Sequence, residues 1–141
     1  MDIYSTDVGQ TNYEKTLANV SPWKDRVDIR KGWSTEVATS VPDASASFIF
    51  IDAGHTYAEI MDDLNAYWSK LAVGGILAGD DYVDGWVEDA QYTFGVKSAV
   101  DDFAREKSSR VYMTTQKEMR SGLPVPNVPQ HASWYMFKCS E

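Results

Sequence analysis

Asp52, His55, Asp80 and Asp81 are the residues of this 141-residue chain best suited to chemistry, because each stands where an apolar run gives way to a loop. Phe48-Ile49-Phe50-Ile51 has the continuous apolar character of a strand buried on both faces, and it stops at Asp52-Ala53-Gly54-His55. Ile76-Leu77-Ala78 has the same character and stops at Gly79-Asp80-Asp81-Tyr82. Hard divalent cations prefer carboxylate oxygens, and magnesium keeps several waters while taking a few protein carboxylates. Asp52, Asp80 and Asp81 at one sheet edge therefore make a candidate magnesium site with open positions. The plain alternative makes Asp80-Asp81 an acidic turn and Asp52 a helix cap. His55 carries an imidazole, the side chain whose proton affinity suits base work near neutral pH. Its plain alternative is a hydrogen-bonded structural residue at a helix start.

These residues meet only if the elements between them fold back correctly. Thr56 with Glu59 three residues on forms a capping box, and Tyr57, Ile60, Met61, Leu64, Trp68 and Leu71 recur at helical spacing until Gly74-Gly75. A right-handed crossover through that helix makes the two strands parallel neighbours, with Asp52 and the Asp80-Asp81 pair at the same edge. Upstream, Ile3 and Tyr4 would close a strand, Thr11 to Val20 an amphipathic helix, and Arg26 to Arg30 a half-buried or edge strand. Gly32-Trp33-Ser34 is a turn, and Thr35 to Val41 a short helix. Downstream, Tyr82 to Phe94 is expected as an irregular loop, a lid or substrate-facing segment whose Trp86, Tyr92 and Phe94 would line a pocket or cap the core. A helix is expected from Gly95 to about Lys107, a strand at Val111 to Met113, and a last strand at Ser133 to Lys138. Asp62-Asp63 and Asp101-Asp102 fall within helices and are expected on solvated faces. The Pro-rich stretch Gly122 to Gln130 cannot be regular, and it suits an antiparallel return at one edge of the sheet. The fold class is thus α/β, a Rossmann-like three-layer sandwich with a mostly parallel sheet and an antiparallel C-terminal strand.

A net charge of -8 argues against nucleic acid as a partner, since phosphate binding needs clustered Lys and Arg. The one cysteine, Cys139, calls for no disulfide framework. No apolar run is long enough to span a membrane and no signal-peptide pattern opens the chain, so a cytoplasmic protein with no membrane partner is expected. Residues 1 to 141 form one expected domain.

FIFIDAGHTY, LAVGGILAGDDY and GVKSAVDDF together resemble the C-terminal two-thirds of class I S-adenosylmethionine-dependent methyltransferases. The likeness is to the metal-dependent small-molecule O-methyltransferases, of the macrocin O-methyltransferase and cephalosporin hydroxylase-like group. The resemblance implies S-adenosylmethionine and Mg²⁺ as cofactors and a hydroxylated small molecule as substrate. It places metal ligands at Asp52, Asp80 and Asp81 and a general base at His55. The cofactor ribose would fall to Asp2, the adenine side to Gly32, Trp33 and Ser34, and Asp52 would also border the cofactor. Such enzymes open with a strand and a glycine-rich turn, whereas this chain starts after that segment. The expectation is therefore weak cofactor binding by the chain alone, with the gap beside Phe48 to Ile51 closed by the Met1 to Tyr4 strand, a second copy or a strand-supplying partner. The alternative function is a non-catalytic or partial domain that serves as a binding or assembly module.

Overall fold

A computed structural model describes residues 7–88, 90–114 and 132–139. The expected strand ending at Tyr4, the residue Asp2 and the Pro-rich stretch lie outside them. The chain divides into two compact units, Met1–Gly32 and Trp33–Glu141. In the first, helix α1 (Asp7–Val20) begins four residues before its expected start and runs into a 3₁₀ turn, Ser21–Trp23. The alternation at Val27 and Ile29 does not produce a strand, since a strand exists only where a neighbour completes its hydrogen bonds and none of the described strands pairs with it.

The second unit is built on a sheet of order β1-β2-β6-β5, from β1 (Ala46–Ile51), β2 (Leu71–Gly79), β5 (Tyr112–Met113) and β6 (Trp134–Phe137). β1 and β2 are parallel, and β6 is antiparallel to both β2 and β5. Three strands thus point one way and the C-terminal strand opposes them, as the apolar runs and the crossover predict. The crossover is α3 (Tyr57–Trp68), and α4 (Val96–Glu106) packs beside it. Ile51, Leu77, Trp134 and Met136 from one sheet face join Ile60, Leu64, Val100 and Phe103 from these helices in one buried core. Phe48 and Phe50, which point to the other face of β1, are exposed.

Two expectations change. β2 starts at Leu71, not Ile76: the register slips between Ala46↔Leu71 and Phe48↔Ile76, and Gly74 absorbs the bulge at φ 79°, a conformation that a side chain would strain. Gly74-Gly75 is therefore a kink inside a strand and not the end of a helix. The expected loop after Asp81 contains a β-hairpin, β3 (Asp84–Val87) paired with β4 (Tyr92–Gly95). Trp86, Val87, Tyr92, Thr93 and Phe94 favour extended backbone, and the turn closes through Gln91, whose N–H donates to Val87 O at 2.9 Å.

Candidate metal and acid–base site

The end of β1 delivers Asp52, and Ala53-Gly54 carry the chain to His55, two residues before α3 begins. Thr56 then caps the helix as its spacing with Glu59 predicts: Glu59 N–H donates to Thr56 Oγ1 at 3.4 Å and Thr56 N–H to Glu59 Oε2 at 3.1 Å. The Thr56 hydroxyl, which donates to Glu59 Oε2 at 2.6 Å, and then the Thr56 N–H hold the Glu59 carboxyl below its usual range, against a smaller push from burial. From β2, Asp80 N–H donates to Ile51 O at 3.3 Å, which keeps the two strand ends together. Asp81 then turns into the left-handed region, φ 55°, which Asp tolerates better than most residues.

The result is a group of three: one ligand atom each from Asp52, His55 and Asp81, all within 4.8 Å of one another. His55 Nε2 lies 3.0 Å from Asp81 Oδ2 and 3.9 Å from Asp52 Oδ1. Asp52 is exposed, whereas His55 and Asp81 are half-buried. Nε2 itself is buried and makes no hydrogen bond among the described residues, so its 3.0 Å approach to Asp81 is a contact out of line with the ring N–H direction. An imidazole nitrogen with no aligned partner, facing two carboxylates, suits either a divalent cation or an incoming proton. One nitrogen lone pair cannot do both at once.

The assembled set differs from the expected one. Asp80 is not in the group: its Oδ1 accepts from Ser133 Oγ at 2.8 Å, and its backbone oxygen accepts from Trp134 Nε1 at 3.2 Å. Consecutive residues leaving a strand project in different directions, so of the Asp80-Asp81 pair only Asp81 turns to His55. Two hairpin residues hold the imidazole. Phe94 stacks on it with ring centroids 4.5 Å apart and planes 6° from parallel, and Tyr92 Oη is 2.6 Å from Nδ1. Burial raises the Tyr92 phenol above its ordinary range and the charges of Glu59 and Asp81 push the same way, so it stays protonated at neutral pH. The period-2 spacing of Tyr92 and Phe94 in sequence is the signal that both face one side of a strand.

The residues expected at the cofactor are spread more widely. Asp2 is outside the described residues, and Gly32 ends the first unit. Trp33 is exposed at the N-cap of α2 (Ser34–Ala38). Ser34 is pinned to α3 by two bonds: its hydroxyl donates to Asp63, and its carbonyl accepts from Tyr67 Oη at 2.9 Å. Asp63 is therefore buried and not on a solvated face. Burial raises its carboxyl above the usual range, with the Ser34 bond as partial offset and Asp62 and Glu59 adding to the rise. It stands with Ile60 and Leu64 among the buried residues of α3.

The fold and the strand-end site define a Rossmann-like domain of the class I methyltransferase type. The chain belongs to the methyltransferase domain family, whose model matches residues 2–82. Among solved structures, a protein from Corynebacterium glutamicum aligns at TM-score 0.60 and 16% identity, over 96% of this chain and 58% of its own. A SAM-dependent methyltransferase from Archaeoglobus fulgidus aligns at TM-score 0.52 and 8% identity, over 81% of this chain and 69% of its own. These likenesses are of fold. The chain spans little more than half the length of the Corynebacterium protein, and no curated protein matches its sequence. None of the described helices is long and apolar enough to cross a membrane.

Proposed function

We propose that the protein is an S-adenosylmethionine-dependent, Mg²⁺-dependent O-methyltransferase acting on a hydroxylated small molecule, with Asp52 and Asp81 as cation ligands and His55 as general base. The observation that carries this reading is the convergence of Asp52, His55 and Asp81 at the carboxyl ends of two parallel strands, where α/β sheets bind their ligands. A divalent cation held there would supply a Lewis acid that grips two acceptor oxygens and makes the reacting hydroxyl more acidic. Asp80 would join the ligands by releasing Ser133. His55 Nε2 takes the acceptor proton as the oxygen attacks. S-adenosylmethionine would supply an electrophilic methyl group, which would exchange its bond to sulfur for one to the acceptor oxygen and leave a neutral thioether. Trp33 and Ser34 would lie on the adenine side of the cofactor.

The test is transfer of labelled methyl from S-adenosylmethionine to catechol, a simple vicinal diol, with and without Mg²⁺. Transfer that a chelator stops, and that His55→Ala lowers by roughly 10²- to 10⁴-fold with cation affinity intact, supports the assignment. Transfer indifferent to chelator removes the cation from the mechanism. Loss of cation affinity in His55→Ala makes His55 a ligand and not the base. Cation binding without transfer to any acceptor favours a non-catalytic binding module.

A further inference from the structure

Asp81 faces His55 from a left-handed turn, and such a turn keeps its direction only if the chain on both sides of it is held. Upstream, Asp80 is fixed by Ile51 and Ser133. Downstream, residues 82–84 are each bound to the first turns of α4: Tyr82 Oη donates to Asp101 Oδ1, Lys97 N–H donates to Val83 O at 3.4 Å, and the Asp84 carboxylate accepts from Ser98 N–H at 3.0 Å and Ser98 Oγ at 2.7 Å. Asp101 is thus half-buried and not on a solvated face, and its other oxygen accepts from Lys97 Nζ at 2.6 Å. That ion pair joins two residues of one helix and is worth little by itself. The Tyr82 bond differs, because it crosses from the helix to the residue next to Asp81. Asp102, one position on, accepts from Tyr57 Oη at 3.2 Å, so both members of the acidic pair hold a tyrosine, but only the Asp101 tyrosine adjoins a member of the three-residue group.

We infer that Asp101 is a positioning residue for the site: by holding the Tyr82 hydroxyl it fixes the backbone that turns the Asp81 carboxylate toward Asp52 and His55. A side-chain-bearing residue at φ 55° adopts its conformation at a cost, and keeps it where the surrounding structure anchors its neighbours. Consecutive Cα atoms are joined by one rigid peptide ~3.8 Å long, so a Tyr82 that left α4 would carry Asp81 with it. The anchor is a hydroxyl on a carboxylate, a charge-assisted bond and hence stronger than a neutral one. Tyr82 and Val83 also pack against the core, which gives the segment a fixed floor. The consequence for a cation at Asp81 rests on the proposed function, whereas the anchoring of Asp81 does not.

Amide hydrogen exchange followed by NMR, and calorimetric titration with Mn²⁺, test this on the whole chain in wild type, Tyr82→Phe, Asp101→Asn and Asp101→Ala. Tyr82→Phe keeps the ring and changes no charge, so it carries the test even if Asp101→Ala fails to fold. The amides of residues 82 and 83 should exchange roughly tenfold faster in Tyr82→Phe and Asp101→Ala, with the rate of the buried Leu77 amide unchanged. Mn²⁺ affinity should fall roughly tenfold in the same two variants. Asp101→Asn, which retains an acceptor oxygen, should lie between them and wild type, and the double variant Tyr82→Phe/Asp101→Ala should be no weaker than the weaker single one. Unchanged exchange at residues 82 and 83 in Tyr82→Phe would overturn the inference. So would an affinity that falls in Asp101→Ala and not in Tyr82→Phe, the mark of a lost charge and not of a lost position. If wild type binds no Mn²⁺, the cation of the proposed function falls and the exchange rates alone decide whether Asp101 anchors Asp81.

Discussion

Asp63 shows how much a single buried group can shift a pH profile. Its carboxyl is raised in the folded state, so the folded chain holds a proton that the unfolded chain has already lost. Stability from this group is full below the ordinary carboxylate pKa of 3.8 and is lost as pH rises through the raised folded value. Asp63→Asn removes that dependence and keeps an acceptor for the Ser34 hydroxyl, so thermal melts should show the variant equal to or more stable than wild type at neutral pH but not in acid. A variant less stable at every pH would show that the charged form is the one the Ser34 turn needs. At this scale the sequence was legible wherever a polar residue ended an apolar run, as with Asp52, His55 and Asp81. It was silent about direction: nothing in Asp80-Asp81 tells which carboxylate turns to His55 and which to Ser133. Asp63 was hidden because its neighbour Asp62 shares its chemistry but not its face.

The elements carry the site by close approach more than by polar bonds. At Gly95, a Cβ would lie 2.7 Å from Tyr57 N and 2.8 Å from Tyr57 Cβ, so the β4 end and the α3 start touch backbone to backbone. Gly95→Ala must push the hairpin off the helix, at a cost of about 1–3 kcal/mol in chemical denaturation, and the His55 ring should lose its Phe94 stack. Unchanged stability would mean that the hairpin docks loosely and positions nothing. Leu77 tests the sheet in the same way: fully buried between β1 and β6, its truncation to Ala should cost about 2–5 kcal/mol in the same measurement. The capping box, the crossover helix and the antiparallel last strand were readable because each rests on a local pattern with one physical meaning. The hairpin was not, since two four-residue strands separated by a polar turn carry too short an alternation to stand out from a loop. The β2 bulge was hidden for a related reason: Gly-Gly ends helices more often than it kinks strands, and only the register against β1 distinguishes them.

Across the whole molecule, the excess of acid over base sets the conditions for cation binding. A net charge of -8 raises the local concentration of divalent ions around an exposed group such as Asp52, and that contribution is screened within about 10 Å at 0.1 M salt. Cation affinity should therefore fall severalfold as monovalent salt is raised; no change would place the binding site away from the exposed strand edge. The fold class was legible because a βαβ unit has one handedness and brings both strand ends to one edge, so the site followed from the topology. The proposed function rests on a cation held between Asp52 and Asp81. Calorimetric titration of the protein with Mn²⁺ and Mg²⁺ measures this most directly. One ion per chain bound by wild type, with a rise in melting temperature that Asp81→Ala abolishes while leaving the fold intact, is the predicted result. Absence of saturable binding in the folded wild type, or equal binding in Asp81→Ala, would contradict it.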